Sequence, residues 1–351
     1  MVPPLQTTLD DVEDAANRGE IEADGCITDF AAREALIREW DQIRRSRIPV
    51  RHFTPAAIAI LMIAPLEHLR DLLQSCKQAP DALFDGVMST LNKDGTRAIS
   101  SYIAGRTPYE LLAGLFWTID GKEVVCPDNP HAYAKTCIVT GKSGFVDVVF
   151  LFPHVDTKKE THSLQSILKT FWGEKAVPWI TTCTNPDFIE SLQNHITLDP
   201  MFRSPFIEGR LAFKPLRSAD PNERRIQLHR LKRSPFRVSD FCFHGNPLER
   251  GRDGEKIKAW GDRFLPGEIA SIPITTETEP GRILTIRADN PADLPDWDML
   301  ELQWDLVRVA AFARAGVDDD GDGGDDMDDE YDEYDRGGDD DDVEFLRLDQ
   351  E

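Results

Sequence analysis

Val146-Asp147-Val148-Val149-Phe150-Leu151-Phe152-Pro153 is dense in β-branched and aromatic side chains and predicts a strand that stops at its proline. Just upstream, Cys137-Ile138-Val139-Thr140-Gly141 is a shorter β-prone run closing on a turn. Downstream, the segment from Ser163 to Trp172 puts Leu164, Ile167, Leu168, Phe171 and Trp172 on one side of a helix. Two further stretches complete the middle of the chain. They are Asn194-His195-Ile196-Thr197-Leu198 and Phe206-Ile207-Glu208-Gly209-Arg210-Leu211-Ala212-Phe213-Lys214-Pro215.

Residues N-terminal to this region read as helices. Ala35, Leu36, Trp40 and Ile43 recur at helical spacing between Phe30 and Arg45. Thr54-Pro55 supplies a capping hydroxyl and a proline at the first helical position, and the helix it opens runs to about Ala64, before Pro65. Helical periodicity resumes from Leu66 to Cys76, and two more helical segments are expected near Pro80–Leu91 and Ser100–Thr118. On the C-terminal side, Gly281 to Ala288 alternates as a strand does. The segment from Asp296 to Ala315, with Leu300, Trp304 and Val307 at i, i+4 and i+7, predicts an amphipathic helix. The fold class is therefore α+β: a helical N-terminal region, a small mixed core, and a C-terminal strand and helix packing on the body.

Charge is unevenly spread. Residues 318–351 hold 19 acidic and 2 basic residues, while the other 317 residues hold 44 and 38, so most of the net charge of −23 belongs to that tail. Like-charge repulsion and a lack of apolar groups predict that the tail is disordered, as is the polar segment 1–28. The Asp318-Asp319-Asp320-Gly321-Asp322 run lacks the spacing and terminal glutamate of an EF-hand calcium loop. None of the six cysteines forms a C-x-x-C pair, which removes the local basis for a zinc ribbon or redox motif. Cys137 is expected to be a structural thiol. The longest apolar run, Ala56–Pro65, is about half of what a membrane span needs. No leader is expected in Met1 to Asp10, and an intracellular protein of nucleus or cytoplasm is the expectation, with no membrane partner.

Taken in order, the central elements resemble the HNH nuclease domain common in fungal genomes. That family has a Cys-x-Val-Thr-Gly strand start and a Val-Ala-His-Ile-x-Pro element. An apolar-Trp helix follows, matched by Leu168-Lys169-Thr170-Phe171-Trp172, then an Asn-x-Ile-Thr-Leu turn, a histidine about nine residues on, and a Phe-x-x-Gly-x-x-Ala-Leu-x-Pro ending. The similarity covers roughly residues 55–315, including Leu294-Pro295 through Leu302-Gln303-Trp304, and its diagnostic part is 137–216. It implies a helical region over 30–120, an HNH-like domain of ββα-metal type over 121–260, and a C-terminal strand and helix over 261–317.

What the resemblance implies for chemistry is one divalent cation, a first histidine that takes a proton from water, and a second histidine that ligates the metal. An asparagine orients the first histidine and the loop. Asn194 is retained, but Phe150 stands at the first histidine position and Arg203 at the second. Phenylalanine has no lone pair, and a permanently charged guanidinium repels a cation. The expectation is a degenerate HNH protein that binds DNA or a protein without cutting, and so needs no cofactor. Phe150 is expected to pack in the core and Arg203 to be solvated or to contact a phosphate.

Two alternatives stay open. An atypical active endonuclease would use Mg, Mn or Zn held by His154, His195 and Asp199, with Asp147 and Asp156 as further oxygen donors. A scaffold would recruit partners through the helical region and the acidic tail. For binding, the segment Arg224–Arg237 carries six Arg/Lys and no acid, with Arg224, Arg225, Arg230, Lys232 and Arg233 the candidate phosphate contacts. Otherwise it reads as a solvated helix or loop face. A lesser basic cluster runs from Arg44 to Arg51.

Overall fold

The computed structural model describes residue 27 and residues 29–49, 52–106, 118–119, 122–123, 136–142, 146–153, 158–189, 191–231 and 281–313. The acidic tail and the segment 1–26 lie outside them, as do His154, Asp156, Lys232 and Arg233. Among the described residues, ten α-helices are numbered in chain order: α1 Phe30–Arg47, α2 Pro55–Ile63, α3 Leu66–Gln78, α4 Asp81–Ser89, α5 Gly95–Ala104, α6 Lys158–Trp172, α7 Ala176–Cys183, α8 Pro186–Ile189, α9 Pro200–Ile207 and α10 Trp297–Ala313. Among the same residues seven strands form three antiparallel sheets: β1 Thr118–Ile119 with β2 Lys122–Glu123, β3 Asp147–Phe150 with β4 His195–Leu198, and β5 Leu211–Leu216, β6 Glu223–Arg230 and β7 Ile283–Arg287 in that order. The chain is α+β, and its buried side chains form one cluster running from Leu36 in α1 to Ala313 in α10.

α2 begins as its sequence dictates. Thr54 accepts a hydrogen bond from Ala57 N at 3.1 Å, and Pro55 fills the first turn. All nine of its residues are buried, which its run of Ala, Ile, Leu and Met allows. Its C-terminal carbonyls need donors from elsewhere. Arg33 of α1 supplies them, donating to Ala64 O at 2.7 Å and Leu61 O at 3.3 Å. Arg47 does the same for α3, donating to Cys76 O, Lys77 O and Ala79 O. Arg44 is paired with Asp41, and Arg45 with the same carboxylate. Of the basic cluster at the end of α1, Arg47 thus ends a neighbouring helix, Arg44 and Arg45 are paired within α1, and Arg51 lies outside the described residues. The buried face of α1 is Arg33, Leu36, Ile37, Trp40, Asp41 and Arg44, while Ala35 is exposed.

Several expectations are corrected. The helix expected over 80–91 is α4, which continues through a π turn, Thr90–Asp94, directly into α5. The helix expected over 100–118 ends at Ala104, and Thr118 begins β1. Cys137-Ile138-Val139-Thr140 is mainly a turn, closed by Gly141 N donating to Cys137 O at 2.8 Å, with Cys137 buried. The segment from Arg224 to Arg230 is neither helix nor loop but most of β6, the middle strand of its sheet.

α10 is the largest correction. The i, i+4, i+7 pattern predicts one apolar stripe, yet nearly every residue from Met299 to Ala313 is buried. It packs against α2, α5, α7 and β5. Its polar residues must then be satisfied internally. Asp305 accepts from Trp172 Nε1 at 2.8 Å and Lys175 Nζ at 3.0 Å, and it pairs with Arg308. Burial pushes the Asp305 carboxyl up, but Arg308, Lys175 and the Trp172 N–H outweigh it and hold it below the ordinary value. Arg308 lies over the Trp304 ring, whose other neighbour is His229, with centroids 4.7 Å apart. His229 Nε2 donates to Gln227 Oε1 at 2.8 Å. Burial, with Lys214 and Arg308 close by, pushes His229 down to about 3.

Two stability predictions follow from α10 and β6. Replacing Asp305 by Ala strands Arg308 and Lys175, and urea denaturation at neutral pH should register a loss of about 3–5 kcal/mol. A carboxylate held below its unfolded value stabilises above that value and loses the contribution as pH falls, so the gap to wild type narrows below about pH 4. His229 stays neutral in the fold down to about 3 while the unfolded chain protonates near 6.5. Across that window the unfolded state binds the extra proton, and wild type should lose up to about 1.4 kcal/mol per pH unit from this group as the pH falls. Denaturation midpoints of His229→Gln should be flatter over the same range.

Candidate functional site

β3 and β4 pair in the register Asp147↔Leu198, Val148↔Thr197, Val149↔Ile196 and Phe150↔His195. Alternation turns Val149, Ile196 and Leu198 into the core. Val148 on the other face is 48% exposed. α6, α7 and α8 lie between the two strands in sequence, and α9 follows β4 after a single residue. That residue, Asp199, caps α9 by accepting from Met201 N at 2.9 Å, and Pro200 takes the first helical position. α9 stops at a left-handed Gly209, φ 70°. A Cβ there would meet Ile103 Cδ1 at 3.2 Å, so the glycine serves both the turn into β5 and the close packing of α5.

Asn194 is fully buried and fastens the end of β3 to the start of β4. Its Oδ1 accepts from Phe152 N and its Nδ2 donates to Phe152 O, both at 2.9 Å. Its backbone O accepts from Leu151 N at 2.8 Å. Both halves of the amide are thus matched to one residue's backbone, a pattern neither aspartate nor alanine reproduces.

Phe150 is corrected from core residue to half-buried side chain: its ring packs against that of its cross-strand partner His195, centroids 4.6 Å apart. Arg203 is corrected from a solvated side chain. It lies on α9 with its side chain 21% exposed, and Nη1 is 3.3 Å from Asp147 Oδ2. Strand alternation puts Asp147 and Phe150 on opposite faces of β3, three residues or about 10 Å apart along it. The chain therefore does not bring Phe150 and Arg203 to one point. Asp199 is occupied as a helix cap and Asp147 as an ion-pair partner.

A divalent cation fits these residues poorly. Among the described residues no three His, Cys, Asp or Glu side chains come together as a ligand group. Where the second ligand is expected, Arg203 brings a fixed positive charge beside Asp147. Among the described residues, burial pushes the Cys183 thiol up to about 12 and raises Cys76 as well, which disfavours both thiolates.

The described arginines of the basic segment are knitted into the sheet. Arg224 donates to Pro295 O at 3.1 Å and to Pro221 O and Glu223 O. Arg225 lies 3.9 Å from Glu223, and Arg230 is buried. One cation that the sequence did not single out is Arg106, buried just past the end of α5. Nothing local in the sequence marks it, because an arginine's burial is decided by what packs over it. No family model, no curated protein and no solved structure matches this chain. Among the described residues no helix is long and apolar enough to cross a membrane.

Asn194 gives the sharpest test of this geometry. Asn194→Ala leaves the N–H and C=O of Phe152 unsatisfied and should cost about 2–4 kcal/mol in chemical denaturation. Asn194→Asp should cost at least as much, because one carboxylate oxygen then faces the Phe152 carbonyl.

Proposed function

We propose that this protein is a non-hydrolytic relative of the HNH nucleases, which acts by binding rather than by cutting. The strand–strand–helix order of β3, β4 and α9 favours this reading, as does the asparagine clamp between the strands. The observation that carries it is the state of the two replaced positions. Phe150 is engaged with His195 and Arg203 with Asp147, and neither side chain can serve as base or metal ligand. Hydrolysis at neutral pH needs an activated water and charge neutralisation at one phosphate. Phe150 and the Arg203–Asp147 pair, held on opposite faces of β3, supply neither.

The partner in this reading is a nucleic acid, met through the basic segment 224–237. Arg224 and Arg225 already serve the sheet, so Lys232 and Arg233 carry the phosphate contacts. Such binding is sequence-tolerant and weakens steeply with salt through counterion release.

Incubation of the full chain with supercoiled plasmid in Mg²⁺, Mn²⁺ or Zn²⁺ should give no nicking. Mobility-shift titrations should show binding, and Lys232→Ala with Arg233→Ala should lower the logarithmic salt slope by roughly 2. Nicking abolished by chelator overturns the non-hydrolytic reading and makes His195, Asp199 and His154 the next residues to replace. An absence of both nicking and salt-dependent binding points instead to a protein scaffold.

A further inference from the structure

Arg106 is 5% exposed, and its Nε, Nη1 and Nη2 find no hydrogen-bond acceptor among the described residues. Arg33, Arg44 and Arg308, comparably buried, each hold acceptors: the carbonyls ending α2, the Asp41 carboxylate and the Asp305 carboxylate. Arg106 has only rings. Its guanidinium carbon lies 3.9 Å from the centre of Phe206 and 5.5 Å from that of Tyr102. Aromatic faces attract a cation but leave the in-plane N–H fork unused. Tyr102 donates to Leu151 O, so its hydroxyl is already directed elsewhere. On α9, three residues before Phe206, Arg203 Nε is a second buried N–H without an acceptor.

Burial lowers the Arg106 pKa, yet a guanidinium does not resolve its burial by losing a proton. A retained charge in a closed site calls for a counter-charge. We propose that Arg106 anchors a binding site for a small oxyanion, a phosphate or carboxylate group taken two-pronged by its fork. The geometry suits that chemistry: carboxylate and phosphate match the guanidinium edge bidentately, and the rings of Phe206 and Tyr102 hold the fork in place. The fork nitrogens are themselves shut off from solvent, which limits the site to a small anion and excludes a duplex backbone. This site is independent of the nuclease-like reading, and the cleavage assay does not bear on it.

The test uses the full chain in a buffer without oxyanions, at constant ionic strength set with chloride, titrated with inorganic phosphate or with acetate. Wild type should bind phosphate at one saturable site by calorimetry. Its melting temperature should rise by roughly 5 °C at a hundredfold excess over the dissociation constant. A matching response to acetate assigns the site to oxyanions in general, and a response to phosphate alone narrows it to phosphate. Arg106→Met should lose the response and melt no lower than wild type without phosphate, because it removes an unpaired buried charge. Arg106→Lys keeps the charge without the fork and should weaken binding about tenfold or more. A wild type with no saturable response to either anion overturns the proposal. So does an Arg106→Met or Arg106→Lys protein that binds phosphate as wild type does.

Discussion

The carboxylate of Asp305 sets a condition that the rest of the fold has to meet. It sits on a helix enclosed by α2, α5, α7 and β5, where an unpaired charge is intolerable. Three donors reach it from two places in sequence: Trp172 at the end of α6 with Lys175 three residues beyond it, and Arg308 one turn along its own helix. The end of α6 is thereby fixed against α10. Arg308 then lies over Trp304, Trp304 packs on His229, and His229 fixes Gln227, whose amide donates to Gly281 O. One chain of contacts links a helix end, the central helix and both later strands of the three-stranded sheet. α1 contributes a parallel device, with Arg33 and Arg47 ending two neighbouring helices.

Much of this architecture is legible where a local signal suffices. Thr54-Pro55 marks the start of α2, Pro65 its end, and the alternation around Ile283–Arg287 gives β7. The misreadings have a common physical source. Apolar periodicity identifies a stripe, but the burial of a charged residue depends on partners far away in sequence. In α1, Arg33, Asp41 and Arg44 are buried and Ala35 is not. In α10 the polar positions Gln303, Asp305 and Arg308 are buried among apolar ones, so the expected solvent face does not exist. In β6 a basic run that suggests a surface segment is the middle strand, because Ile226 and Leu228 anchor it in the core.

The site was legible in order but not in direction. Sequence singles out Phe150, Asn194, His195 and Arg203 in order; in the fold Phe150 ends β3, Asn194 and His195 lead into β4, and Arg203 lies within α9. The direction of each side chain is a matter of register. Pairing Phe150 with His195 turns both away from the face that carries Asp147, and only the strand alignment reveals it. Asn194 was legible as a motif residue, but its double bond to the Phe152 backbone was not. Arg106 was missed altogether, since its interest lies in what it lacks.

β6 and β7 are neighbours in space and distant in sequence. Gly281 N donates to Leu228 O at 2.8 Å and Leu228 N to Arg282 O at 2.9 Å, so the residues on either side of 232–280 are fastened together. The entropy of joining two chain ends grows only with the logarithm of the length between them, about 0.6 kcal/mol for each doubling. The ladder between β6 and β7 has to be joined across that separation in sequence, and a pairing between residues so far apart in the chain forms more slowly than a local one, so this strand pair is expected to set the pace at which the sheet assembles.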